Sequence, residues 1–420
     1  MKKLIKVLQC KVLRAINPVT RLKKQNIAMK KNITRFSQLM NYFPTNTFKK
    51  IIKTEQADKY VKKFKTINLM NVMLYGQIVQ AKSMRRVVEG FNSHNNCHYH
   101  LNTKSIKRST FSEALSKRSV EPFKQICELL MAKVNGKEKK KCEEMISIID
   151  STPISLKGKG YEWALENKNN RTTGLKIHLE LRSDTNSPTY VNITPPNIND
   201  ITDAKNYIQI QKGFTYVIDK GYVDYDWWYK INEEEAIFVS RAKTNTAKKV
   251  VKELDISLEN QDTIKSDQII HLTNSRPRAG KKNKYANKDL RLVTIFRVDK
   301  KPMEIITNDF ERDAQEIANL YKQRWQIELF FKWIKQKLKL KSYFGQSENA
   351  VKIQIYTALI SYLLMKLMQQ ASKKWSKLID LQTWLQHGLF VKDSINTNYY
   401  QRRRQKQKFI NELQISLEFV

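Results

Sequence analysis

The segment Glu311–Gly345, ERDAQEIANLYKQRWQIELFFKWIKQKLKLKSYFG, restricts the possible fold more than any other part of the chain. It has no Pro, and no Gly before Gly345, and it is rich in helix formers. It therefore reads as one long helix that Gly345 helps to stop. At about 100° per residue, Tyr321, Arg324, Glu328 and Lys335 fall within an arc of roughly 60°. Leu320, Ile327, Phe331, Ile334 and Leu338 form one apolar stripe, while Trp325, Leu329 and Trp333 form a second apolar side. A helix apolar on two sides is expected to pack on both, so its polar strip should line a cleft. One acid between two cations and a phenol suits metal and phosphate. The competing reading is a solvated face with i,i+4 pairs such as Arg324–Glu328, each worth a few tenths of a kcal/mol.

A sheet precedes this helix. Met145–Ile149, Gly174–Leu181, Thr189–Ile193, Gly213–Ile218 and Ala236–Ser240 carry short apolar runs or period-two alternation and read as strands. Asp150 follows the first and Asp219 the fourth, at the carboxyl ends where α/β sheets place their chemistry. A single Asp there is ordinarily a turn former or helix cap; two of them, with Glu328 on a helix, point to a site. Between residues 244 and 309, IIHL at Ile269, RLVTIFRV at Arg291 and MEIIT at Met303 alternate again around a basic loop, Arg276–Lys288. This reads as a β-rich insertion before the Glu328 helix.

The flanks are helical. From Phe36 to about Ala132 apolar residues recur at three- and four-residue spacing, and further helices are expected near Asn349–Gln370 and Leu378–Leu389. The predicted order is a basic arm (1–32), a helical N-terminal DNA-binding domain (33–135), the first part of an α/β catalytic core (142–243), the β-rich insertion (244–309), the second part of the core with the Glu helix (310–372), and a helical C-terminal region with a basic tail (373–420). Met29 offers a second start, so translation could begin there or at Met1.

Charge narrows the partner. Lys+Arg number 77 against 40 Asp+Glu, a net +37. Such a surplus opposes folding by self-repulsion and suits a polyanion, with nucleic acid favoured over an anionic membrane surface. An AT-rich genome would explain abundant lysine better than the imbalance. The four cysteines lack paired spacing, which argues for a reducing compartment and against a zinc ribbon. Cys97-His98-Tyr99-His100 has no second Cys/His pair at finger spacing. Ile353–Met365, the longest apolar run, is interrupted by Gln354 and bounded by Lys366, so it reads as a buried helix rather than a membrane span. Lys6 and Lys11 interrupt the apolar stretches of the N-terminus, which does not resemble a signal peptide. A soluble, cytoplasmic, nucleoid-associated protein is expected.

Three carboxylates converging on one point repel one another, and divalent cations would neutralise them. Hard oxygen ligands suit Mg²⁺ or Mn²⁺, and two such ions ~4 Å apart can activate a water or 3′-hydroxyl and stabilise the leaving oxygen of a phosphodiester. Arg324 and Lys335 would hold neighbouring phosphates.

At these residues the chain resembles the DDE transposases of bacterial insertion sequences, in the branch marked by a Tyr-Arg-Glu-Lys signature. Here it reads Tyr321, Arg324, Glu328 and Lys335 with every spacing of Y-x2-R-x3-E-x6-K intact. IIDST at Ile148–Thr152, VIDKGY at Val217–Tyr222 and FVSRAKTN at Phe238–Asn245 look like the strand-end motifs of that family, and FSQLMNYFP and RSTFSEALSKRS resemble its preceding helical domain. The resemblance covers roughly Ile33 to Leu389. It implies a ribonuclease H-like mixed sheet flanked by helices, with Asp150, Asp219 and Glu328 as the catalytic, metal-binding triad for two Mg²⁺ or Mn²⁺ ions. It implies that Tyr321, Arg324 and Lys335, with Arg241 and Lys243 of the third motif, contact DNA, and that a homodimer pairs two inverted-repeat ends before joining them to target DNA. The implied chemistry is hydrolytic nicking that frees a 3′-hydroxyl, then transesterification. Related enzymes stack a flipped base on an aromatic of the insertion; this chain has no Trp between Trp228 and Trp325, leaving Tyr285 or Phe296 as candidate rings. The alternative is a transposase-derived DNA-binding protein that has lost catalysis.

Overall fold

The structure is a computed structural model that describes residues 33–136, 145–156, 158–164, 174–274, 283–298, 300–337, 343–372 and 374–392. The basic arm, the first half of the basic loop and the tail YYQRRRQKQK lie outside these residues. The chain forms two compact units, one drawn from residues up to Arg118 and from Ile360 onward, the other Ser119–Leu359.

In the first unit, α1 (Arg35–Met40), α2 (Thr45–Thr54), α3 (Thr66–Ile78), α4 (Met84–Asn92) and α5 (Arg108–Lys117) join α12 (Leu378–Gln386). Thr34 caps α1 by accepting from Ser37 N–H, and Ser83 caps α4 by accepting from Arg86 N–H. Phe390 packs edge-on against Phe36 and stacks on Tyr75, tying the C-terminal segment to α1 and α3.

The second unit is built on one nine-stranded sheet in the order β3-β2-β1-β4-β5-β9-β8-β7-β6. Its strands are β1 (Met145–Ser155), β2 (Gly174–Arg182), β3 (Ser187–Thr194), β4 (Phe214–Ile218), β5 (Ile237–Arg241), β6 (Lys248–Glu253), β7 (Ile264–Leu272), β8 (Asp289–Ile295) and β9 (Met303–Thr307). β1, β4 and β5 run parallel and the other neighbours are antiparallel. Helix α6 (Glu121–Gly136) packs on β3, α7 (Asp200–Tyr207) lies beside the turn after β4, and α8 (Tyr225–Glu233) packs on β5. The apolar face beneath α7 and α8 centres on Tyr216, Trp228, Phe238 and Tyr285. α9 (Ala314–Gln323) and α10 (Trp325–Lys337) approach the sheet at β4, β5 and β1. The Ser119–Leu359 unit closes with the first part of α11 (Glu348–Ala371), whose most apolar window is 89% buried inside the protein.

Two expectations about the segment after Glu311 are corrected, and the sheet reaches further than the sequence indicates. The strands of residues 244–309 extend the same sheet: β9 pairs with β5, which covers an edge that would otherwise be left open. Its outer strand β6, KKVVKE, is exposed and lysine-rich as an edge strand should be, and its charge hid it from a search for apolar alternation. The segment after Glu311 is two helices, because hydrogen bonding tightens to i,i+3 at Arg324, whose N–H reaches Tyr321 O and whose carbonyl accepts from Ile327 N–H. The second apolar side of that segment is packed only in part: Trp325 and Leu329 are 57% and 51% exposed, while Trp333 is half-buried.

Candidate active site

Alternation along β1 decides which side chains meet. Ile149 belongs to the apolar face with Ala204 of α7, so Ser151 shares that face while Asp150 and Thr152 point to the other, toward α10. Asp150 does not end its strand, as expected from sequence; β1 continues to Ser155 because β2 pairs with it that far. What ends at Ile149 is the parallel ladder, with Ile149 opposite Ile218 of β4. Asp150 and Asp219 are thus the next residues on two neighbouring parallel strands.

The two helices bring the rest. Asp313 and Glu316 form a capping box that starts α9, and Tyr321 near its end donates its hydroxyl to Asp219 Oδ1 at 3.3 Å. Arg324, at the junction of the helices, donates from Nη1 to Asp150 Oδ2 at 3.3 Å and from Nη2 to Glu328 Oε1. Its Nε–H is buried with no hydrogen-bond partner. Lys335, two turns beyond Glu328, donates to the Thr152 hydroxyl at 2.5 Å and to Pro153 O at 2.9 Å. Arg241 ends β5 close enough for its charge to act on Tyr321, and Lys243 lies two residues further on.

Burial sets the electrostatics. It pushes the Asp150 carboxyl up to about 6 against the opposing Ser151 N–H and Arg324, with Asp219 and Asp200 adding to the rise. Burial and then Asp219 push the Tyr321 phenol up to about 12. Burial also opposes the charge of Arg324, yet its hydrogen bond to Glu328, with Tyr321 and the neighbouring acids, outweighs it and raises its pKa.

Among the described residues no three Asp, Glu, His or Cys side chains close on a common point. Arg324 lies between Asp150 and Glu328 and spares them their mutual repulsion, which accounts for the three acids standing as neighbours rather than as a closed ligand set. The chemistry fits a hard divalent cation: the donors are carboxylate oxygens, one of them on a carboxyl that burial leaves short of positive charge, and an arginine already stands where a cation would help. Tyr285 and Phe296 part company. Tyr285 is buried against Phe238 and Tyr229, out of reach of any base, whereas Phe296 is 48% exposed. His98 of the Cys97–His100 cluster stacks on Phe91 and shares a 2.7 Å hydrogen bond with its carbonyl; burial lowers its pKa, so it is a neutral core histidine.

The opposite sheet face holds a charged group that sequence reading passed over. Asp200, in the first turn of α7, accepts from Ser151 Oγ at 2.7 Å and Lys176 Nζ at 3.1 Å. His178 Nδ1 stands 3.7 Å from Asp200 Oδ1 and 3.9 Å from Asp203 Oδ2. The available signal was the doubled acid in NINDITDA, which resembles any acidic first turn.

Comparisons with known proteins identify the family. Residues 141–364 match the family described as Transposase DDE domain, and residues 31–104 match a Domain of unknown function (DUF4372). A putative transposase of Sinorhizobium fredii is 37% identical over 264 residues, 62% of this chain and 71% of that protein. A probable transposase for an insertion sequence element of Geobacillus stearothermophilus is 26% identical over 63% of this chain and 68% of its own length. A putative transposase for an insertion sequence element of Synechocystis is 28% identical over 68% of this chain and 79% of its own.

Proposed function

The chain belongs to the DDE transposases, enzymes that act on DNA, and from that premise we propose that Asp150, Asp219 and Glu328 carry metal-dependent cleavage and joining of the DNA ends of its own insertion sequence. One observation carries the assignment. Tyr321 and Arg324, on one short stretch of helix, link all three acids: Tyr321 to Asp219, and Arg324 to both Asp150 and Glu328. A solvated helix face would not bury an arginine to 16% side-chain exposure between two acids from different elements.

In this reading the α/β sheet is ribonuclease H-like, and the three carboxylates hold two divalent cations, Mg²⁺ or Mn²⁺. Bound there, such ions would make a water or a 3′-hydroxyl nucleophilic and stabilise the departing 3′-oxygen. The protein's own part is positioning. Asp150 must be a carboxylate to serve, and a bound cation would favour that form against the burial that lifts its pKa to about 6. Tyr321 keeps its proton and orients Asp219. Arg324 has an unspent Nε–H for a phosphate oxygen, and Lys335, Arg241 and Lys243 add charge along the DNA backbone. A homodimer would pair two inverted-repeat ends in the cytoplasm, and the helical first unit would contribute DNA binding.

The test uses a plasmid carrying the gene with the DNA that flanks it on each side. Mg²⁺ should support nicking at the element ends, EDTA should abolish it, and Glu328→Gln should remove cleavage while a mobility-shift assay still detects binding. Cleavage by Glu328→Gln at the wild-type rate would refute the assignment, and wild-type binding without any nicking would make the chain a DNA-binding protein only.

A further inference from the structure

We propose that Asp200 is a positioning residue that braces both catalytic aspartates from behind the sheet. This rests on the assignment of Asp150 and Asp219 to catalysis. Ser151 connects the two faces. Its hydroxyl donates to Asp200 Oδ1 at 2.7 Å on the α7 side, while its N–H donates to Asp150 Oδ1 at 2.8 Å on the α10 side. Whatever holds the Ser151 side chain holds the peptide that orients the Asp150 carboxylate.

The same carboxylate lies beside the second aspartate's turn. A Cβ added to Gly221, two residues after Asp219, would stand 3.5 Å from Asp200 Oδ2, so the turn after β4 passes close beside that carboxylate. Tyr222, 1% exposed, follows in that turn. Its pKa is raised by burial and then by Asp200, Asp150 and Asp203, against a side-chain hydrogen bond with Ser151. It remains a neutral phenol wedged among the acids.

Asp200 is itself held. Lys176, on β2, donates to it at 3.1 Å and also to Ile198 O at 2.8 Å, anchoring the segment before α7. Register explains why these groups meet. Ser151 lies opposite His178 on β2, and Lys176 is two residues along the same face. Asp203 is fixed separately by Tyr190 and Asn192 on β3 at 3.0 and 2.6 Å, which pins α7 against the sheet. The arrangement transmits geometry, and it places no group of Asp200 on the substrate side.

The experiment compares Asp200→Ala, Asp200→Asn, Ser151→Ala and the Asp200→Ala/Ser151→Ala double variant in the full chain. It follows cleavage of the flanking-DNA plasmid and, by electron paramagnetic resonance, Mn²⁺ binding in the absence of turnover. Partners of a metal ligand are worth about 10–100-fold in affinity or activity. Asp200→Ala should lower kcat and Mn²⁺ affinity about tenfold or more with little change in KM for DNA. Asn, which keeps an acceptor for Ser151, should recover most of the loss, and the double variant should be no worse than either single one. Wild-type kcat and Mn²⁺ affinity in Asp200→Ala, with only a lower melting temperature, would overturn the proposal. Additive losses in the double variant would overturn it too. Should Asp200→Ala fail to fold, Ser151→Ala decides alone, since it removes only the hydroxyl link. Asp150→Asn is the control: if it cleaves like wild type, the catalytic assignment is wrong, whereas a dead Asp150→Asn beside a fully active Asp200→Ala refutes the brace only.

Discussion

A carboxyl kept in a site built for cations should cost stability when the cations are removed, and Asp150→Asn measures that cost. Burial lifts Asp150 from 3.8 to about 6 even with Arg324 beside it. The shift of roughly two units corresponds to about 3 kcal/mol, at 1.36 kcal/mol per unit. The sign follows from proton counting. Between the two values the folded state holds the proton more often than the unfolded chain, so stability falls as pH rises through that window and is lowest above pH 6. Asn resembles the protonated acid, can still accept from Ser151 N–H, and does not titrate. In urea denaturation with EDTA at pH 8, Asp150→Asn should therefore be more stable than wild type by about 3 kcal/mol. By pH 5 the advantage should shrink to roughly half, because the wild-type carboxyl is then largely protonated when folded. Added Mg²⁺ should raise the wild type toward the variant, since only the wild type gains an ion bound to that carboxylate. The variant should also be catalytically dead, a trade of function for stability. A variant as stable as wild type or less so at pH 8, or a difference that does not change with pH, would refute this reasoning.

Other consequences follow from neighbouring groups. Arg324→Ala leaves Asp150 and Glu328 without their shared counter-charge, so in EDTA at pH 8 it should lose about 2–3 kcal/mol, and Mg²⁺ should stabilise it more than wild type in thermal melts. Tyr321→Phe removes the hydrogen bond to Asp219 and should slow cleavage about tenfold; because the phenol titrates only near 12, the pH–rate profile of the wild type should show no tyrosine ionisation below pH 10. If the surplus cations of this +37 chain bind backbone phosphate, log affinity for duplex DNA should fall linearly with log salt. A flat salt response in a filter-binding or fluorescence assay would leave the lysines as a property of composition alone.

The sequence showed the strand positions well where burial is two-sided or alternating, since Ile148–Ile149 and Phe214–Ile218 are apolar for reasons of packing alone. It also placed Tyr321, Arg324, Glu328 and Lys335 on one helical side, and these four do face β1 and the turn after β4. Three features were beyond it, each for a physical reason. The tightening falls at Arg324, whose side chain reaches Asp150, 174 residues earlier in the chain, a contact that local propensity cannot register. Trp325 and Leu329 are apolar yet exposed, and periodicity does not report what a face meets. The Asp200 brace depends on strand register between β1 and β2, so its members look like an ordinary helix start and two unremarkable strand residues until the sheet is assembled.

The most direct test of the central claim is an anomalous diffraction map of the full chain bound to the DNA of its own element ends and soaked in Mn²⁺. The account predicts manganese coordinated by carboxylate oxygens of Asp150, Asp219 and Glu328, with Arg324 moved off Asp150 and Glu328. Manganese bound to other residues while these three stay in the Arg324 and Tyr321 contacts seen without metal would contradict it.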